Sequence, residues 1–299
     1  MPNVTFRICL WLCGGICIDA AFERRASFFE LIVLIGLCVP VSAQAASAGQ
    51  AECAGRSLDI IRLAYPGATN ADDVFRLAGS TITLPTGDNV DGDPRRVICR
   101  IWPAHPQLTL VAVPLMTEQS DSENEGDIEL LVVDSTNLHV KQRLRLQGLM
   151  SDDAIYVESV AFDTARYQLA PGKTAFGLRV TLEGSSRANP FGETTLWLFS
   201  VDGDGLKPIL DNIVVSENHG EWDTACAGEF DEITRTLSIG SPAKGVFADI
   251  VVTEKTTTSV ATVGKDGDCQ SEDKTTIGKH RLRYDGSKYA VPKDLKRDE

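Results

Sequence analysis

The feature that most constrains the fold is a succession of short apolar segments, rich in β-branched and aromatic residues, from about residue 96 onward. Examples are VICRIW, LTLVAVPL, IELLVVD, AFGLRVTL and TTLWLFSV, and Gly, Pro, Asn and Asp stand between them. Segments of this length and composition, bounded by turn residues, are typical of β-strands. The sequence therefore predicts an all-β domain.

The predicted strands group into about three similar four-stranded antiparallel units. Each unit has two apolar strands followed by a hairpin, and the hairpins are IELLVVDSTNLHVKQRL, TTLWLFSVDGDGLKPIL and HRLRYDGSKYAVP. Residues 256–279 are interpreted as a long insert in the third unit. Antiparallel units of this kind build propeller blades, and they also build sandwiches and barrels. The pattern favours a propeller-like meander, with a sandwich or a barrel as the alternatives.

The second hairpin contains Asp202-Gly203-Asp204-Gly205, which resembles half of a calcium loop. Oxygen ligands would have to continue beyond it, but Lys207, Pro208 and Leu210 occupy those positions. Asp and Gly are also the residues that tight turns prefer. We therefore predict a hairpin turn here.

One segment, Glu52 to Tyr65, has helical periodicity, because apolar residues recur at three- and four-residue steps before Pro66 and Gly67. A second, shorter helical turn is predicted from Asn70 or Asp72 to Leu77. The chain is accordingly divided into a leader (1–45), an N-terminal helical segment packed on the β domain (46–95) and the β domain itself (96–299).

The leader has the composition of a cleaved signal peptide. Arg24 and Arg25 precede an apolar run from Phe28 to Val41, and small residues follow, with Ala43 and Ala45 in an A-x-A pattern. A membrane anchor needs roughly 20 apolar residues, and a proline interrupts this run. We expect cleavage near Ala45 and a soluble periplasmic or secreted protein that does not span the membrane.

The cysteines agree with export. Four of the eight lie in the leader, so cleavage leaves Cys53, Cys99, Cys226 and Cys269. Four cysteines in an exported chain indicate two disulfides, for which three pairings exist. We predict the sequential pairing, Cys53–Cys99 and Cys226–Cys269. A zinc site would need close pairs such as C-x-x-C, which these four do not form.

The formal net charge of −13 limits the kinds of partner. Binding to nucleic acid depends on Lys and Arg that meet phosphates, and docking on anionic lipid depends on the same residues. We therefore expect no nucleic-acid partner. An acidic surface suits a partner with a basic surface, either a protein or another envelope component.

One constellation of polar residues has metal-ligating or catalytic character. Glu217, His219, Glu221 and Asp223 alternate in SENHGEWDTACAGEF, so a strand would project all four from one face. Carboxylates with an imidazole suit a divalent metal or an acid–base pair. The alternative is an acidic connecting loop held by Cys226.

A second candidate region is the connection EGSSRANPFGE, residues 183–193, which is longer than a hairpin needs. Loops on rigid β scaffolds often carry binding residues, and an arginine among hydroxyls can hold a carboxylate. The candidate binding residues are Arg187, Asn189 and Phe191, together with Trp222. The alternative is that Phe191 caps the core and Arg187 pairs with a neighbouring acid.

Familiar catalytic signatures, such as G-x-S-x-G, H-E-x-x-H and Gly-rich phosphate loops, do not occur in the sequence. We therefore expect a non-enzymatic binding or interaction protein of inhibitor, immunity or envelope-accessory type, without a cofactor. The alternative is an envelope hydrolase, metal-dependent or not, that uses the carboxylates and histidine of residues 217–223. A purely structural accessory of the envelope is a third possibility.

Overall fold

A computed structural model describes residues 55–85, 93–120, 123–203, 205–241 and 247–297 of the 299-residue chain. The predicted signal peptide lies outside the described residues. Among the helices described there, none is long and apolar enough to cross a membrane.

The strands of the described residues form two antiparallel sheets. Sheet 1 has seven strands, in the order β1-β2-β3-β5-β6-β7, with β4 also paired to β5. They are β1 (Thr69–Ala71), β2 (Val74–Leu77), β3 (Ser80–Thr83), β4 (Ile98–Ile101), β5 (Leu108–Gln119), β6 (Asn124–Asp134) and β7 (Val140–Leu146).

Sheet 2 is a seven-stranded meander in which every strand pairs with the next one along the chain. Its strands are β8 (Ile155–Ala170), β9 (Lys173–Gly184), β10 (Phe191–Asp202), β11 (Gly205–Trp222), β12 (Gly228–Ile239), β13 (Ile250–Val263) and β14 (Cys269–Leu282).

The all-β class with one short helix is confirmed, and the two sheets pack as a sandwich. Leu110, Leu130 and Val132 of sheet 1 share one buried cluster with Phe176 and Phe199 of sheet 2. The grouping into three four-stranded units is corrected, because β8–β14 pair consecutively in one sheet. The hairpins that suggested separate blades are successive turns of this meander.

The outer face of sheet 1 is covered by helix α1 (Ser57–Ala64), which is shorter than the predicted helix. Ile60 and Ile61 of α1 are buried in a cluster with Val111 and Val133 of sheet 1. Residues 109–116 of β5 and 130–133 of β6 are thus buried on both faces, which explains why these parts of the two strands are apolar runs.

Two polar contacts fasten the end of α1 to sheet 1. Tyr65 donates a hydrogen bond to Glu129, and Arg143 donates one to the Ala64 carbonyl at 3.1 Å. Burial, and then the Glu129 carboxylate, raise the pKa of Tyr65 above its usual value, so the phenol keeps its proton and donates. The helical turn predicted from Asn70 to Leu77 is wrong, because β1 and β2 form a hairpin there.

The face of sheet 2 that points away from sheet 1 is covered by the C-terminal segment. Tyr289 and Leu295 are buried against Leu198, Leu210 and Ile213. The Tyr289 hydroxyl donates to the Ala248 carbonyl at 2.7 Å. The predicted strand KYAVP is therefore a covering segment, joined to its neighbour by an isolated bridge from Tyr289 to Tyr284.

The last four strands extend past this hydrophobic core. We call residues 216–222, 228–234, 254–263 and 269–279 the outer half of sheet 2; none of them is buried. The insert predicted at residues 256–279 is thus corrected to the outer parts of β13 and β14 with their hairpin turn. Its polar sequence hid the strands, because neither face meets the core.

The second hairpin turn and one predicted disulfide are both confirmed. Asp202 pairs with Gly205 across the β10–β11 turn, and Gly203 has a φ of +55°, which glycine adopts without strain. Cys226 and Cys269 are disulfide-bonded, which ties the β11–β12 turn to the start of β14. Cys99 is also disulfide-bonded. Its predicted partner Cys53 lies outside the described residues, so that pairing stays a prediction.

Candidate functional site

The stretch that contains Glu217, His219 and Glu221 is the end of strand β11. Because side chains alternate along a strand, these three project from the same face of sheet 2. Asp223 does not join them. It follows the strand, and its carboxylate accepts the backbone N–H groups of Ala225 and Cys226 at 2.8 and 2.7 Å. Those hydrogen bonds lower the pKa of Asp223, which acts as a turn residue.

The neighbouring strand β12 brings two further carboxylates to this face. Asp231 and Glu229 of β12 lie directly opposite His219 and Glu221. The imidazole of His219 lies between two acids, with Nδ1 3.3 Å from Glu217 Oε1 and Nε2 3.5 Å from Asp231 Oδ2. These contacts become ion pairs only when the imidazole is protonated, and 46 % of the His219 side chain is exposed to solvent.

The second region singled out by the sequence lies against the first. The β9–β10 connection, residues 185–190, runs beside the end of β11. Gly220 donates its N–H to the Pro190 carbonyl at 3.2 Å, and Trp222 donates to the Ala188 carbonyl at 2.8 Å. These bonds continue the ladder beyond the start of β10, where Phe191 lies opposite His219. The two regions singled out by the sequence therefore lie side by side in the structure.

Together they form an open groove of about 410 Å³, which we call the acidic groove. One side is formed by the end of the β9–β10 connection and the start of β10, and the other side, formed by β11 and β12, carries the carboxylates. Its lining residues are Asn189, Pro190, Phe191, His219, Gly220, Glu221, Glu229 and Asp231.

A glycine is required where β11 crosses the groove. A Cβ on Gly220 would come within 2.5 Å of the Phe230 ring and 2.7 Å of the Glu229 carbonyl oxygen. The absence of a side chain lets Phe230 lie over β11 on the face opposite the acids. The β11–β12 ladder continues through this close approach and keeps Glu229 and Asp231 opposite Glu221 and His219.

Two of the four candidate binding residues line the acidic groove and two do not. Asn189 and Phe191 are among its lining residues, whereas Arg187 is exposed on the loop outside it. Trp222 is half-buried and, as the neighbour of Glu221 in the strand, projects from the other face. Its backbone, through the bond to Ala188, is what positions the loop.

The groove is electrostatically unbalanced. Glu221 and Glu229 are direct cross-strand neighbours of like charge, an arrangement that destabilises a sheet. Lys and Arg are not among the described residues that line the groove. A second like-charge pair, Glu193 opposite Glu217, is different, because Arg297 Nε lies 3.7 Å from the Glu193 carboxylate.

This arrangement can perform two kinds of chemistry. The carboxylates beside Phe191, whose half-buried side chain also packs against the core cluster, suit a cationic group, and His219 lies between two acids as an acid–base residue would. Among the described residues, no group of three or more His, Cys, Asp or Glu side chains is arranged to hold a metal ion.

Glu229 and Asp231 also line the acidic groove, and neither is among the residues predicted from the sequence. Both occur in GEFDEI, whose alternation is visible, but only the pairing register between β11 and β12 shows which acids face His219. The available signal was that acidic residues alternate on both sides of Cys226. A hairpin with its turn at Cys226 would bring the two alternating segments together.

A second cavity, of about 190 Å³, lies at the other end of β10 and contains residues that neither sequence region included. Trp102, His105 and Phe247 line it, and the ion pair between Lys173 and Asp202, 2.6 Å long, neutralises its charges. This cavity is mainly apolar and lacks the unpaired charge of the acidic groove.

Comparison with known proteins adds no further guide. No protein-family model, curated protein or solved structure matches this chain. Its function must therefore be argued from the acidic groove itself.

Proposed function

We propose that the chain is an exported binding protein, periplasmic or secreted, that holds a basic segment of a protein or envelope partner in the acidic groove. The observation that carries this proposal is the direct pairing of Glu221 with Glu229 in an open groove whose described lining has no Lys or Arg. A cationic side chain bound between them would relieve the repulsion that the free protein contains.

Other features support the same proposal. The chain has a formal net charge of −13, so a basic partner is attracted from a distance as well as at contact. Phe191 supplies an aromatic surface next to the acids, and cations bind favourably over such rings. The leader pattern and the Cys226–Cys269 disulfide are compatible with an oxidising compartment.

The test is a binding titration of the exported chain with a short Lys- and Arg-rich peptide, beside a matched peptide in which Gln replaces the basic residues. We expect only the basic peptide to bind, and its affinity to fall as salt rises. The double variant Glu221→Gln/Glu229→Gln should bind at least about tenfold more weakly, since it removes two charged acceptors.

A matched control separates the groove from the general acidity of the chain. Glu125 is an exposed glutamate on β6 in sheet 1, so Glu125→Gln should leave peptide affinity unchanged. If Glu125→Gln weakens binding as much as the groove variant does, attraction is diffuse and the groove is not the site. If the parent protein does not bind the basic peptide, the proposed ligand class is wrong.

A second candidate function is hydrolysis of envelope glycans or esters, favoured by the position of His219 between Glu217 and Asp231. In that case Glu221→Gln and His219→Gln should both lower a measured activity by orders of magnitude. Asp223→Asn should not, because Asp223 faces the turn. If the activity is unchanged in both Glu221→Gln and His219→Gln, this candidate function is wrong.

A further inference from the structure

Strand β14 forms one edge of sheet 2 and pairs, among the described strands, with β13 alone. The pairing runs without a register shift from Val263 opposite Cys269 to Ile250 opposite Leu282. The other side of β14 therefore presents a row of backbone N–H and C=O groups to solvent, the template on which another strand adds.

Several devices that usually blunt such an edge are missing from β14. The strand is 14 residues long, contains no proline and has no bulge. Every residue from Cys269 to Ile277 is exposed, and Ile277 itself is 72 % exposed. The Cys226–Cys269 disulfide fastens one end of the strand, so little flexibility has to be lost when it pairs.

The charges of β14 are divided between its two ends. Glu272 and Asp273 lie in its first half, whereas Lys279 and Arg281 lie in its second half. An antiparallel copy would therefore set acids against bases. Lys274 makes the strand slightly basic in total, so this edge does not share the acidic excess of the chain, whose formal net charge is −13.

Symmetry restricts the register. A two-fold axis perpendicular to the sheet maps each face of the sheet onto the same face of the second copy. Because side chains alternate along a strand, the numbers of two residues that lie opposite each other must differ by an even number. One residue therefore lies opposite the same residue of the second copy. With Thr276 on the axis, Asp273 meets Lys279 of the second copy and Glu272 meets His280 of the second copy. Shifting the axis to Thr275 loses both contacts. Shifting it to Ile277 pairs Asp273 with Arg281 instead of Lys279, but it leaves Glu272 opposite the buried Leu282 and sets Lys274 against His280.

We propose that two copies of this chain pair antiparallel through β14, with the two-fold axis at Thr276, and so join their second sheets into one continuous sheet. The dimer contact is separate from the acidic groove, and this proposal does not depend on the ligand that the groove binds. Asp273–Lys279 together with Glu272–His280 selects the register, and the backbone ladder supplies the attraction.

The first test is sedimentation velocity of the exported chain over a range of concentrations. We expect a monomer–dimer equilibrium. Lys279→Asp places like charges at two symmetry-related contacts, each of which should cost about tenfold, so dimerisation should weaken about a hundredfold. The exchange variant Asp273→Lys/Lys279→Asp should restore it to within about tenfold. Lys265→Asp, an exposed change in the adjoining hairpin turn, should have no effect.

The second test is cross-linking, which does not depend on the strength of the dimer. Opposite residues in antiparallel strands have Cα atoms about 4.5–5.5 Å apart, within the range of a disulfide. Thr276→Cys should therefore form a disulfide-linked dimer under mild oxidation, whereas Thr275→Cys should form far less.

Three outcomes would overturn the proposal. They are a monomer at all concentrations without cross-linking by Thr276→Cys, a dimer unaffected by Lys279→Asp, and equal cross-linking at both cysteine positions. Retained far-ultraviolet circular dichroism in each variant shows that a loss of dimer is not a loss of fold.

Discussion

The two halves of sheet 2 share one hydrogen-bond ladder but are stabilised in different ways. In the core half, strands such as β10 are buried on both faces, and Phe199 and Leu198 contact different clusters on opposite sides. In the outer half no residue is buried, and Val263 is 60 % exposed. Burial of apolar area stabilises the first half. The ladder, the disulfide and a few polar pairs, such as Thr258 with Asp231, hold the second.

A strand therefore does not need an apolar face when a neighbouring strand already sets its register. Each outer strand is the continuation of a strand that is fixed in the core. The backbone pairing of each outer strand therefore continues from the core half and does not depend on the packing of its own side chains. We expect the outer half to be the less stable part of the protein, which leaves its faces and its edge available for binding.

The largest contrast should come from truncating one apolar side chain in each half. Phe199→Ala removes a fully buried ring and should lower the free energy of unfolding by about 3–5 kcal/mol. Val263→Ala should change it by less than about 0.5 kcal/mol, because its side chain already meets solvent. Urea denaturation measures both. Equal losses would show that the outer half also has an apolar core.

The disulfide should matter next, and mainly to the outer half. The double variant Cys226→Ser/Cys269→Ser opens a cross-link that spans 43 residues, which should cost about 3–4 kcal/mol in the loop-entropy description. Hydrogen exchange should accelerate in residues 254–279 and remain slow in β9 and β10. A uniform acceleration would contradict the division into two halves.

A smaller effect is expected where the two halves meet. Arg235 is 5 % exposed in its side chain, and it donates to Glu254 at 2.6 Å and to the Val214 carbonyl at 3.1 Å. Arg235→Met leaves both acceptors without their donor and should cost about 2–3 kcal/mol. Lys173→Met breaks the exposed pair with Asp202 and should cost at most about 1 kcal/mol. Thermal unfolding distinguishes the two.

The smallest effect concerns pH and belongs to the core half. Burial tends to raise the pKa of Asp163, but hydrogen bonds from the Ala165 N–H, Tyr167 and Arg179 outweigh it and lower the pKa below its usual value. A lowered carboxyl pKa stabilises the fold above the unfolded value of about 4, and this contribution is lost as pH falls through the folded pKa.

Asp163→Asn should therefore destabilise the protein by about 1 kcal/mol at neutral pH, and the difference from the parent should shrink below about pH 4. The measurement is the unfolding midpoint in urea across that pH range. A constant difference at all pH values would mean that the Asp163 charge has no part in its contribution. The acids of the groove, Glu221 and Glu229, should show no such loss on neutralisation, since their charges repel each other.

The parts of the protein that could be predicted from the sequence are those in which burial leaves a pattern. The apolar runs of β5, β6, β9 and β10 predicted strands because both of their faces are buried. The periodicity before Pro66 predicted α1, and the even number of cysteines in the predicted mature chain led to the Cys226–Cys269 pair. Each of these signals is local, or nearly so.

How the strands combine into sheets could be seen only in the folded protein. Whether hairpins form separate blades or one meander depends on which strands pair with each other. The sequence of a single strand does not show its pairing partner. The outer parts of β13 and β14 carry no burial pattern, so their strands could not be seen. Likewise Glu229 and Asp231 join His219 only through the register of β12 on β11, and Asp223 leaves the site because the strand ends one residue before it. Register and strand length are set by contacts between distant residues, and these contacts are what the sequence does not display.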